Sequence, residues 1–188
     1  LTGPAVDKLL NYESVPEFDL DIQAINKDDK KLVPMPLLQA YWGLRLLATR
    51  RPLEEKMTLF FHDLFATAWS KVMITRTLCN QLDMFREHCL GDYRTILVEM
   101  AKDPTMIFWL DNQLNTKDAP NENFGRELLE LFSMGIGNYS EDDVKDCARA
   151  FTGWGLDHTI PWNQPFGRFD WKYRYRPEEH DDGEKTFL

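Results

Sequence analysis

The residues able to do chemistry in this chain gather between Pro120 and Trp154, a stretch reading PNENFGRELLELFSMGIGNYSEDDVKDCARAFTGW. Asn121, Glu122, Asn123, Arg126, Glu127 and Glu130 crowd one helix and its entry. Glu122 and Arg126 are four apart with the acid first, the favourable order for a helical ion pair, and Arg126 also reaches toward Glu130. Glu127 and Glu130 are three apart, so two carboxylates share a face that can bind a hard cation or supply a general base. The plainer reading makes Asn121, Glu122, Asn123 and Arg126 a structural clasp, stitched by pairs worth about 0.2–0.5 kcal/mol each.

Three further candidates for catalysis or metal binding stand apart from that helix. His62 lies off the apolar stripe of its helix, so it faces solvent, a pocket or a second packing layer. His180 and Asp181, followed by Asp182, can offer one imidazole and two carboxylates to a metal, although a turn with solvated charges explains them too. His88 and His158 have no supporting context. Glu-x-x-His pairs of the di-iron bundles are absent, as are nucleophile elbows, phosphate loops and dinucleotide fingerprints. Gly135-Ile136-Gly137 follows a helix rather than a strand. Lys172, Arg174 and Arg176 alternate with aromatics, a pattern shared by single-strand nucleic-acid platforms and ordinary half-buried strands.

Charge decides against the first of those. The 188 residues carry 31 acidic and 22 basic side chains, a formal charge of −9, whereas nucleic-acid-coating proteins and anionic-membrane binders are basic. With 43% apolar residues the chain can build one full-sized core. No run approaches the roughly 18 apolar residues that span a bilayer. No signal-peptide pattern opens the chain, which begins on Leu1 rather than Met, as expected if an upstream segment is missing. Cys79 and Cys89 would lie about 15 Å apart on one helix, beyond disulfide reach, so the three cysteines read as packed thiols.

Helices must position these groups. Residues 1–35 show no firm period beyond one possible opening helix. Pro36 starts a helix with Leu37, Leu38, Tyr41, Leu44 and Leu47 inward, and Pro52 starts another with Leu53, Met57, Phe60, Phe61, Leu64 and Phe65 in one stripe. A third runs from about Val72 to Gly91, with Ile74, Leu78, Leu82, Phe85 and Cys89 inward. Asp92 caps a fourth carrying Ile96, Leu97 and Met100, and Asp103-Pro104 opens a short fifth. Asn121 caps the next, with Phe124, Leu128, Leu131 and Phe132 inward and Gly135 as its left-handed stop, followed by a contact from Ile136. Ser140 and Asp143 write a capping box, Tyr139 and Val144 a hydrophobic staple, and Val144, Cys147, Ala148 and Phe151 the inward face of the last helix. Phe169, Trp171, Tyr173 and Tyr175 then alternate with charges as a strand, which Lys185 to Leu188 can pair back upon.

The ordered strings RPLEEKMTLFFHDLFATAWSKV, LGDYRTILVEMAKDPTMIFWLDN, PNENFGRELLELFSMGIGNYSEDDVKDCARAFTGW and HDDGEKTFL resemble the bacterial domain-of-unknown-function 1800 family over residues 36–188. The resemblance implies a mostly helical, commonly exported protein with no established reaction, substrate or cofactor. It also implies a further helical region after Leu188, so the chain is expected to be part of a longer domain. Where the family often writes W-H-N-H-F-A-T, this chain has Phe61-His62-Asp63-Leu64-Phe65-Ala66-Thr67, and a metal site needing both histidines would be impaired.

The expected fold is mainly α, a multi-helix bundle with a small β-hairpin near the C-terminal end. Its parts are an N-terminal segment (1–35), a helical bundle (36–153) and an aromatic-rich loop and hairpin (154–188). The expected function is a non-catalytic scaffold or binding domain acting with a protein partner or with the remainder of its own chain. A metal-dependent hydrolase using His62, Glu127, Glu130, His180 and Asp181 is the alternative. No cofactor is expected in the first case and a divalent metal in the second.

Overall fold

A computed structural model describes residues 3–16, 34–157 and 171–188. Nine α-helices and one two-stranded sheet occur among them: α1 (Gly3–Leu10), α2 (Met35–Ala48), α3 (Pro52–Leu64), α4 (Trp69–Val72), α5 (Thr75–His88), α6 (Tyr93–Lys102), α7 (Pro104–Trp109), α8 (Asn123–Glu130), α9 (Glu141–Ala150), β1 (Trp154–Asp157) and β2 (Lys172–Tyr175). The mainly helical expectation holds. His158, Phe169 and Asp170 lie outside the described residues.

Prolines and caps set the boundaries where the sequence suggested them. Pro36, Pro52 and Pro104 each occupy a first-turn position, where the missing N–H costs nothing. Asp92 accepts the Arg94 N–H, and Asp103 accepts that of Met106. Ser140 and Asp143 form both halves of the capping box at α9, and Gly135 sits at φ +78°. Two boundaries differ. The helix expected to stop at Gly135 ends at Glu130, five residues earlier. The helix expected from Val72 is broken, because Met73 adopts φ +57° and separates the one-turn α4 from α5.

The core has two main bodies joined at α7. One packs Phe61, Phe65, Phe85, Ile96, Met100, Met106, Phe124 and Phe132, with Phe65 stacked on Phe85 at 5.7 Å and edge-on to Phe132 at 4.9 Å. The other packs Leu38, Tyr41, Val72, Leu78, Leu82 and Ile107 against Leu156 and Trp171 of the sheet region. Met106 and Ile107, adjacent in α7, each enter one body and are fully buried. Burying side chains of this size stabilises by about 1.5–3 kcal/mol each. A third, smaller cluster joins Leu129 to Val144 and Cys147, with the staple residue Tyr139 against it. Here Gly125 lets α8 approach α9, since a Cβ would lie 3.0 Å from the Ala148 nitrogen.

Several inward faces are turned from where hydrophobicity alone places them. On α3, Glu54, Glu55 and Thr58 are buried beside Phe61, while Phe60 is exposed. On α2, Arg45 is buried and Leu37, Leu44 and Leu47 face outward, Leu47 at 87% exposure. On α8, Leu129 is buried and Leu131 exposed, and Ile136 stands 80% exposed instead of packing behind Gly135. Buried ion pairs cause the first two shifts. The third follows from the helix ending at Glu130, after which the periodicity no longer applies.

The strand at Lys172–Tyr175 forms, but its partner is β1 rather than Lys185–Leu188. The two run antiparallel with Trp154 opposite Tyr175 and Asp157 opposite Lys172. Residues 185–188 instead lie irregularly along α9, where Asp146 accepts the Thr186 N–H at 2.8 Å and Asp143 that of Leu188 at 3.0 Å. Those helix carboxylates give the segment's N–H groups acceptors without a strand. All three cysteines are buried and free, as expected. No helix among the described residues is long and apolar enough to cross a membrane.

Candidate functional site

The PNENFGRELLEL stretch is built into a chain of asparagines. Asn112 and Asn115, both buried, sit in the loop before it. Asn112 Nδ2 donates to the Trp154 carbonyl at 2.8 Å, tying the loop to β1. Asn115 Nδ2 donates to Asn112 Oδ1 at 3.0 Å and to the Ala148 carbonyl at 2.9 Å, tying it to α9. Asn115 Oδ1 accepts the Asn121 N–H at 2.9 Å, and its carbonyl accepts that of Gly153 at 2.9 Å. The buried amide thus serves three partners and the backbone carbonyl a fourth, with both of the amide's N–H donors in use.

The next residues continue the clasp. Asn121 Oδ1 accepts the Asn123 N–H at 3.0 Å, so it caps the helix from one residue further out than expected, Glu122 holding the capping position itself. Asn123 Nδ2 donates to the Leu110 carbonyl at 3.1 Å. Arg126 grips Glu141 with both Nη atoms, at 2.9 and 2.7 Å, and Glu122 at 3.1 Å. It therefore bridges α8 to the start of α9. Glu130 is bonded by the Tyr139 hydroxyl at 2.8 Å, not by Arg126. Glu127 makes no side-chain hydrogen bond among the described residues, and burial, reinforced by the Glu130 charge, pushes its carboxyl above the usual range.

The histidine candidates occupy separate places. His62 lies edge-on to Trp42 at 5.2 Å, in the layer between α2 and α3, and burial holds its imidazole below the usual value. Its Nδ1 is buried with no hydrogen-bond partner among the described residues. His180 Nδ1 is 2.7 Å from the Thr152 carbonyl, which can only accept, so that nitrogen carries the proton. Asp181 is bound by Arg149 Nε at 2.7 Å, and that guanidinium pulls its carboxyl down to about 2. Among the described residues no group of three or more His, Cys, Asp or Glu side chains is arranged to hold a metal ion.

Two buried polar networks were invisible to periodicity. Glu55 is held by Arg45 and by Arg86, whose Nε lies 2.6 Å from Oε1. Burial alone would raise its carboxyl, but hydrogen bonds from both guanidinium groups outweigh that and keep it ionised. Separately, Thr67 donates to Gln81 Oε1 at 2.6 Å, and Gln81 Nε2 donates to Asp103 Oδ2 at 2.7 Å. A buried glutamine would be satisfied by any polar pair, so only spatial proximity identifies these partners. The signal available in sequence was weak: charged residues at positions where a helix stripe should be apolar.

These features define a helical domain whose most conspicuous polar residues bind its own elements together. Residues 6–188 match the model of a family described as a protein of unknown function (DUF1800), and the chain belongs to that family. The match takes in α1 from residue 6, beyond the resemblance visible from residue 36 onward. Comparison with the curated proteins and with the solved structures found no match.

Proposed function

We propose that the domain is a non-catalytic scaffold or binding module that works with a protein partner, within a larger and exported assembly. The observation that carries this reading is how the candidate polar groups are used. Asn121, Asn123, Arg126, His180 and Asp181 each bond one element of the fold to another, which makes them parts of a clasp. Large apolar side chains, Leu44, Leu47, Phe60, Leu131 and Ile136, meanwhile stand exposed on the surface. Exposed apolar side chains that join into one patch mark binding faces. The test is to isolate the full-length protein from its source and determine its mass by sedimentation. A stoichiometric complex, weakened by Leu47→Glu or Ile136→Lys, is expected. Turnover of an ester, peptide or phosphate substrate that Glu127→Gln abolishes would overturn the reading.

The hydrolase alternative keeps one supporting observation, the raised carboxyl of Glu127 beside Glu130. Elemental analysis separates the two readings. A stoichiometric divalent metal lost in Glu127→Gln would favour the enzyme, and its absence would remove the metal-dependent form.

A further inference from the structure

Asp103 is the elbow of the fold, ending α6 and capping α7. Its side chain is buried, and Oδ2 accepts the Met106 N–H at 2.8 Å and the Gln81 Nε2–H at 2.7 Å. Gln81, wholly buried on α5, passes the contact to Thr67 in the loop between α3 and α4. Four segments therefore meet through one carboxyl, one amide and one hydroxyl. The groups acting on Asp103 are all neutral: Met106 and Thr105 N–H from α7 and the amide from α5. Lys102 on α6, Arg86 on α5 and Lys71 on α4 are paired with other carboxylates, Lys102 with Glu99, Arg86 with Glu55 and Asp83, and Lys71 with Asp111.

We propose that Thr67, Gln81 and Asp103 form a proton-operated latch at the α6–α7 elbow. With the carboxylate ionised, the amide turns its NH2 to Asp103 and its oxygen to Thr67, as in this structure. When the carboxylate takes up a proton from solvent, the amide turns over. Its oxygen then accepts the new Asp103 O–H, and its NH2 donates to Thr67 Oγ1. Both contacts survive, so neither state leaves the amide unsatisfied, and no bond other than the carboxyl O–H forms or breaks. An amide is suited to this because its two ends have the same shape and opposite hydrogen-bonding roles.

A buried carboxylate without a cation is disfavoured, and burial pushes Asp103 up to about 7, although the N–H groups and the amide pull the other way. The native state thus holds a proton that the unfolded chain releases near the ordinary carboxylate range. The stability contributed by that proton is complete below that range and is lost as pH rises through about 7, while the contacts themselves persist. Met106 and Ile107, three and four residues on, enter the two core bodies, so the elbow lies beside both.

The test is a carbon-13 titration of the Asp103 carboxyl in the full 188-residue chain, with the Gln81 side-chain amide followed alongside. Asp103 is expected to titrate near neutrality with the Gln81 amide resonances moving over the same pH interval. Titration near 4, the ordinary aspartate value, or an unmoved Gln81 amide would overturn the latch. A second arm compares unfolding of the wild type with Asp103→Asn, which mimics the protonated form. Between the ordinary range and about 7, the wild-type unfolding constant should rise relative to the variant by up to about tenfold per pH unit. Parallel curves would also overturn the proposal. Should the variant fail to fold, the titration of the wild type decides alone.

Discussion

Arg149 on α9 holds Asp181, thirty-two residues later in the chain, with Nε 2.7 Å from Oδ2 and Nη2 3.4 Å from Oδ1. The same Nη2 donates to the Glu184 carbonyl at 3.1 Å. With Asp146 and Asp143 accepting the Thr186 and Leu188 N–H groups, side chains spaced three apart on one helix face grip an extended segment by its backbone. This explains why residues 185–188 need no strand partner.

Replacing Arg149 should release that segment without unfolding the core. In Arg149→Gln, the Asp181 carboxyl should titrate above about 2 and toward the ordinary value of about 4, the Gly183 N–H still holding it somewhat down. In the wild type the contact is present above the ordinary carboxylate range and is lost as pH falls through about 2. Amide exchange should quicken at Gly183 and Thr186 and stay unchanged in α5. Unaltered exchange at both would show that other contacts hold the segment.

Gly153 adopts φ +76°, and a Cβ there would overlap the Arg176 carbonyl oxygen. That carbonyl belongs to the turn where β2 ends, and the Arg176 N–H donates to the Gly153 carbonyl at 2.8 Å. Gly153→Ala should therefore cost about 2 kcal/mol or more, from left-handed strain together with displacement of β2. Urea denaturation measures it; a loss below about 0.5 kcal/mol would show that the backbone relaxes freely.

Asn115→Ala should destabilise by about 2–4 kcal/mol, measured the same way. The substitution strands the Asn121 N–H and leaves the Ala148 carbonyl and Asn112 Oδ1 short of a donor, and each buried unsatisfied group costs about 1–3 kcal/mol. Asn121→Ala, which removes only the cap on Asn123, should cost about 1 kcal/mol.

Glu55→Ala should be among the most damaging single changes, at about 3–5 kcal/mol, because it leaves the buried Arg45 without its carboxylate and weakens the hold on Arg86. Glu55→Ala in an Arg45→Met background should cost less than Glu55→Ala in the wild type. Strict additivity in that cycle would mean the pair is not coupled.

His62 gives a pH effect opposite in sign to that of Asp103. Burial lowers its imidazole below the ordinary value of about 6.5, so the unfolded chain binds a proton that the native state refuses. The stability it contributes is present above about 6.5 and declines as pH falls below it. Thermal melting at pH 7.5 and 5.5 should show a larger drop for the wild type than for His62→Gln. Equal drops would place the imidazole in contact with solvent.

Much of this architecture could be read before any coordinates. Pro36, Pro52 and Pro104, the caps at Asp92, Asp103 and Ser140, and the left-handed Gly135 are local signals, since each acts on backbone groups within a few residues. The polar crowding of Asn121 to Glu130 was equally legible as a clasp or a ligand surface. Its actual partners, Asn115, Leu110 and Glu141, lie six to fifteen residues away and cannot be read from spacing.

Local chemistry therefore determined where several helices start and that the chain would be mainly α, while the break at Met73 and the helix end at Glu130 were not legible. Tertiary structure alone decided which faces turn inward. Glu55 is buried because Arg45 and Arg86 arrive from two other helices to compensate it, and Leu47 is exposed because that pairing rotates α2. Likewise β2 chose β1 over the closing residues, whose N–H groups the α9 carboxylates had already taken. Burial of charge and the choice among competing partners depend on contacts distant in sequence, so no local pattern encodes them.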